Sequence, residues 1–177
     1  MATTKWDFDL SHSSIEFWVR HLMVAKVRGR FGAWEGSLEF DEEDPSRAKV
    51  NVDIEANSID TRDEARDKHL RSADFLDVEG HPKLHFESTK VERRDAKNYR
   101  VQGNLVVRGH SEPVVLEVEY GGRVKDPWGG ERVVFSARSS VDRKKFGLNW
   151  NQALEAGGVL VGDKVEIELE IEAVRKA

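Results

Sequence analysis

Apolar and polar residues alternate with a period of two along nearly the whole of this 177-residue chain. The pattern belongs to β-strands with one buried and one solvated face, because successive side chains of a strand point to opposite sides. Ile15, Phe17, Val19 and His21 alternate with Glu16, Trp18 and Arg20, and Val50, Val52, Ile54 and Ala56 alternate with Asn51, Asp53 and Glu55. Further runs are Leu84/Phe86, Tyr99 to Val107, Val114 to Tyr120 and Val133 to Val141. The cleanest sets Val165, Ile167, Leu169 and Ile171 against Glu166, Glu168, Glu170 and Glu172. Turn chemistry separates the runs at Asp41–Ser46, Arg94–Asn98, Arg108–Pro113 and Asp126–Gly130. Eight long strands, with a short first one at Trp6, Phe8 and Leu10, predict an all-β fold in which closing an antiparallel sheet removes its edges. An extended eight-stranded antiparallel barrel is preferred to a sandwich, since about eight strands leave an interior able to hold one small ligand. One domain spanning residues 1–177 is expected from the length.

Two stretches interrupt the alternation, and one strand changes phase. Near Gly32 the buried set shifts from odd positions (Val27, Phe31) to even ones (Trp34, Leu38, Phe40), as one extra residue in a bulge would cause. Thr61-Arg62-Asp63-Glu64 reads as a capping box, with Thr61 as N-cap of a short helix running to about Arg71. Asn149 to Ala156 offers Trp150, Ala153 and Leu154 at helical spacing before Gly157-Gly158, which predicts one or two turns.

Several function classes are excluded at once. The formal net charge of −5 argues against binding nucleic acid through bulk charge. The absence of cysteine removes disulfides, thiolate metal sites and cysteine nucleophiles. No apolar run approaches a membrane span, and residues 1–7 lack a signal-peptide core, so a cytoplasmic protein is expected. No nucleophile elbow, P-loop or dinucleotide fingerprint occurs, and Gly32-Ala33-Trp34 imitates a lipocalin motif in the wrong strand.

The six histidines, His12, His21, His69, His81, His85 and His110, have no metal-ligand spacing, so neither a metal nor another cofactor is expected. His21 differs from the rest: it extends the inward face of Ile15, Phe17 and Val19, either hydrogen-bonded to a neighbour or touching a ligand in a hollow interior. Arg66, Asp67, His69 and Leu70 lie on the short helix, which reads either as a solvated helix laced by ion pairs or as a lid over the barrel mouth.

Taken in order, Trp6…Asp9…His12-Ser13…Phe17-x-Val19-x-His21…Val27-x-Gly29-x-Phe31, Ser58-Ile59-Asp60-Thr61…Arg66-Asp67-x-His69-Leu70-x-Ser72-x-Asp74-Phe75, Pro82-x-Leu84-x-Phe86, Gly103-Asn104-Leu105…Arg108-Gly109, Phe146-Gly147-Leu148 and Val161-Gly162-Asp163 resemble the YceI-like family of polyisoprenoid-binding proteins. The match covers nearly the entire chain. His110-Ser111 departs from it, standing where an aliphatic residue and a threonine are common. The resemblance implies a lipocalin-like barrel whose long apolar tunnel takes the tail of an isoprenoid or similar long-chain amphiphile, and it implies no catalytic set. Phe17, Val19 and His21 are expected next to the ligand from strand phase, and Arg66, His69, Leu70 and Phe75 from the matched motif; Phe31, Phe86, Phe135, Phe146 and Trp150 complete the set.

The leading expectation is therefore a binding module that sequesters or carries a prenyl diphosphate or a prenylated quinone. The alternative is an enzyme acting on an amphiphile in the same cavity, with His21 or His69 as general acid or base. A third reading is a barrel filled by its own side chains. A homodimer is the default assembly.

Overall fold

The computed structural model describes residues 3–41, 43–152 and 160–176. The strands are β1 (Thr4–Phe8), β2 (Ser14–His21), β3 (Ala25–Phe31), β4 (Trp34–Phe40), β5 (Lys49–Glu55), β6 (Ile59–Asp60), β7 (Lys83–Arg93), β8 (Asn98–Val107), β9 (His110–Lys125), β10 (Glu131–Asp142) and β11 (Lys164–Arg175). The single α-helix among the described residues is α1 (Glu64–Arg71). Every pairing is antiparallel. The ladder runs β1, β4, β5, β7, β8, β9, β10, β11, and β11 closes the circle by pairing with β1 through Ala173–Arg175 and with β2 through Glu166–Glu170. The strand pairs β1/β2, β3/β4 and β5/β6 each form one bent stave, so the eleven strands make an eight-staved closed barrel.

The expected bulge at Gly32 is a complete break. Gly32 and Ala33 leave the ladder between β3 and β4, one residue more than period two allows, and this moves the buried face from Phe31 to Trp34. The adjacent stave breaks at the same level, where Ala56–Ser58 forms a short 3-10 turn. Gly32 N–H donates to the Ser58 carbonyl (3.2 Å) and Glu55 N–H to the Ala33 carbonyl (2.9 Å), so the two staves bend together with their backbone groups satisfied. A second phase change, absent from the sequence reading, follows a bulge between Ser88 and Lys90 in β7, which puts Val91 on the face of Leu84 and Phe86.

The capping-box assignment is corrected by two residues. Asp63 is the N-cap of α1, its carboxylate accepting from Arg66 N–H (3.0 Å). Arg62 has a left-handed backbone (φ 64°) and turns the chain, carrying Thr61 away from the helix start and into the protein. There Thr61 N–H and Oγ1 both donate to the buried Asp67 carboxylate, at 2.9 and 2.5 Å. The turns expected over 149–156 are not helical at residues 149–152, and 153–156 lie outside the described residues.

Candidate functional site

Strand parity aims one apolar residue in two at the barrel axis, and these residues do not meet. They enclose a cavity of about 450 Å³, inside the range typical of small-molecule sites. Leu105, Leu116, Val118, Leu169 and Ile171 face inward yet are only half-buried, because the surface they keep faces the void. A barrel filled by its own side chains would have buried them fully, so the solid-barrel reading is set aside. The 12 residues of β10 span about 40 Å and, at the usual barrel tilt, give a height of about 30 Å; the cavity is correspondingly elongated.

One end of the barrel is sealed. Trp6 is 1% exposed and Val133 and Ala173 are 0%, packed with Leu38 and Phe40. Phe40 meets Phe135 edge-on at 5.5 Å and tilts against Tyr120 at 5.5 Å, a geometry favourable for aromatic pairs. The Trp6 indole N–H is satisfied by Thr4 Oγ1 at 2.7 Å.

Polar groups gather on the cavity wall at the other end, where α1, the β2–β3 hairpin and the segments between β10 and β11 converge. Arg66 donates through Nε to Thr61 Oγ1 (2.8 Å) and through Nη2 to the Thr61 carbonyl (2.7 Å). Thr61 is itself locked by Asp67, so the guanidinium is held in place, and it has no carboxylate partner among the described residues. Arg71 likewise donates to the carbonyls of Asn57 and Ile59. Arg66 and Arg71 thus hold the 57–61 segment rather than carboxylates. His69 Nε2 lies 2.8 Å from Asp74 Oδ2, and the ring packs edge-on against Phe75 (5.1 Å) and Trp150 (4.6 Å). His21 borders the cavity with no side-chain hydrogen bond among the described residues; its backbone bridges to Val161.

All twelve residues expected next to the ligand border this one cavity: Phe17, Val19 and His21 from β2, Phe31 from β3, Arg66, His69 and Leu70 from α1, Phe75 after it, Phe86 from β7, Phe135 from β10 toward the sealed end, and Phe146 and Trp150 after β10. Sequence reasoning missed three polar residues that hold the wall. Thr61 and Asp67 form the buried pair described above. Arg143, 3% exposed, donates to the carbonyls of Gly162 (2.8 Å), Leu148 (2.6 Å), Trp150 (2.9 Å) and Val161 (3.2 Å), pinning both arms of the 147–163 connection. Burial pushes its guanidinium pKa down, against the opposing pull of Asp163 at 3.8 Å. Nothing in the run Arg143-Lys144-Lys145 marks the first cation as the buried one.

Outside the cavity, Asp9, His12 and Glu172 place three ligand atoms within 4.8 Å of one another. Arg132 enters the group, donating to Asp9 (2.6 Å) and lying 3.6 Å from Glu172, so the carboxylates already have a cation. Hydrogen bonds from Ser11, Arg132 and His12 hold the Asp9 carboxyl well below the usual carboxylate range.

A YceI-like domain model matches residues 6–173. A UPF0312 protein of Pectobacterium carotovorum is 38% identical over 175 residues, covering 99% of this chain and 88% of that protein. A UPF0312 protein of Staphylococcus epidermidis is 38% identical over 170 residues, covering 96% of each. Among solved structures, the YCEI protein of Campylobacter jejuni matches with a TM-score of 0.78 at 28% identity, covering 89% of this chain and 90% of that one. Two more distant structures share the fold. BcnA of Burkholderia cenocepacia has a TM-score of 0.82 at 20% identity, covering 94% of this chain and 99% of that one. A polyisoprenoid binding domain from Saccharophagus degradans has a TM-score of 0.69 at 12% identity, covering 97% and 98%.

Proposed function

The chain belongs to the YceI-like family, and from that premise we propose that it binds the apolar tail of an isoprenoid or similar long-chain amphiphile inside the barrel, sequestering or carrying it without chemical change. The observation that carries this reading is the elongated, almost wholly apolar cavity, sealed at one end and edged by polar groups at the other. The polyisoprenoid-binding name of the Saccharophagus degradans relative in fold supports the same ligand class.

Burial supplies the affinity. At about 0.8 kcal/mol per buried carbon, four prenyl units contribute about 16 kcal/mol gross. Association costs of about 4–15 kcal/mol come out of that, and a cost of about 8 kcal/mol or less leaves micromolar binding or better. An anionic head at the polar end meets Arg66, whose planar fork keeps donors beyond the two that Thr61 engages.

Mass spectrometry of an organic extract of the purified protein tests the proposal, with a prenyl-chain compound as the expected result. An empty extract, together with no uptake of prenyl alcohol or prenyl diphosphate in native mass spectrometry, refutes it. A released, chemically altered product would favour the enzyme reading instead. Arg66→Ala is expected to weaken prenyl diphosphate by about 1–3 kcal/mol and to leave the prenyl alcohol unchanged. Equal responses to the two ligands would remove Arg66 from head-group recognition.

A further inference from the structure

The hairpin joining β2 to β3 breaks two rules at once. Its turn has Leu22 (φ 52°) and Met23 (φ 68°) in the left-handed region, which Asn and Gly ordinarily fill because larger side chains are strained there. Leu22, Met23 and Val24 are also 46%, 57% and 75% exposed, so three apolar side chains stand in water at the extremity of the sheet. Neither feature helps the fold. Val24 N–H closes the turn on the His21 carbonyl (3.2 Å), and Leu22 N–H reaches the Leu160 carbonyl (2.9 Å), so the tip is held firmly in this exposed position.

Charge along residues 17–34 is equally one-sided; the carboxylates set beside them, Glu166 across from Trp18 and Asp163 after the 160–162 segment, are engaged by Lys164 (2.9 Å) and Lys144 (3.3 Å). Between Glu16 and Glu35 the chain carries Arg20, Lys26, Arg28 and Arg30 and no carboxylate, although the whole protein has a net charge of −5. Arg30 pairs with Asp60 (3.7 Å). The other three have no carboxylate partner among the described residues. Arg20 donates to the Val24 carbonyl (3.0 Å), and Lys26 Nζ and Arg20 Cζ lie 4.3 and 5.2 Å from the Trp18 ring. An apolar tip, a tryptophan behind it and a collar of unpaired cations are the parts of a peripheral membrane anchor: insertion buries the tip, and the collar meets anionic head groups.

We infer that the β2–β3 hairpin docks the polar end of the barrel onto an anionic lipid surface. The consequence for transfer rests on the amphiphile-binding reading. His21 both borders the cavity and begins the turn, so a docked tip sets the cavity's polar end against the bilayer and lets a tail pass between the two without crossing water.

Sedimentation of the full chain with vesicles tests the docking. Binding is expected to vesicles of equal parts phosphatidylcholine and phosphatidylglycerol, and to weaken on pure phosphatidylcholine and at high salt. The variant L22N/M23G suits the turn's backbone and so keeps the fold, and neither residue borders the cavity. It should lose vesicle affinity by about tenfold or more. K26Q/R28Q should lose binding to the anionic vesicles alone. Equal sedimentation of parent and L22N/M23G overturns the inference. So does a parent that ignores anionic vesicles but dimerises through the tip, shown by a dimer in analytical ultracentrifugation that L22N/M23G dissolves. Prenyl alcohol binding in vesicle-free solution is the separate readout: its absence in the parent would refute the ligand reading while leaving vesicle docking standing.

Discussion

Filling the barrel from within discriminates a hollow interior from a packed one by the sign of a stability change. Leu116 points inward from β9 opposite Val101, and Leu169 points inward from β11 opposite Ala137 and Ile15. Both border the cavity and are only half-buried. Leu→Phe adds three carbons. In a close-packed core that costs about 1–3 kcal/mol, because neighbours must leave their rotamers. In a void the new carbons are buried without displacing anything, and at about 0.8 kcal/mol each they can stabilise by up to about 2 kcal/mol. The expectation for Leu116→Phe and for Leu169→Phe is therefore a urea midpoint unchanged or raised. In the double variant the two rings occupy space that the ligand needs, so a long prenyl alcohol should bind at least about tenfold more weakly while the protein stays as stable as the parent. Losses of about 2 kcal/mol for each single variant, adding in the double with ligand binding unchanged, would refute the reasoning and mean that the cavity closes in solution.

Two further outcomes test the polar framework. Arg143→Leu leaves the carbonyls of Gly162, Leu148, Trp150 and Val161 without their shared donor and should cost about 3 kcal/mol in urea unfolding; a cost below about 1 kcal/mol would mean that the 147–163 connection holds itself. Asp9 has its folded-state pKa lowered by Ser11, Arg132 and His12, so its stabilisation is present above the unfolded carboxylate value near ~3.9 and is lost as the pH falls through the folded value. Asp9→Asn should thus cost about 2 kcal/mol at neutral pH, with the gap to the parent narrowing below about pH 4; a gap independent of pH would show that shape, not charge, matters at this site.

Alternation by itself determined the fold class, the number of staves and the inward face. In a strand the direction of a side chain depends only on its position counted from its neighbours, and that information is local. For the same reason Phe17, Val19 and His21 could be placed on the cavity wall from the sequence. Thr61 shows where local reading stops: Thr-x-x-Glu satisfies a capping box on paper, but the left-handed Arg62 turns Thr61 toward Asp67, and Asp63 takes the cap. Arg143 cannot be told from Lys144 and Lys145 by composition, because its four carbonyl partners arrive from residues up to 19 positions away. Only closure of β11 onto β1 and β2 decided that one end of the barrel is sealed by Trp6 and Val133 while α1 and the β2–β3 hairpin edge the other. Sealing depends on which distant side chains share a volume, and no period in a sequence encodes that.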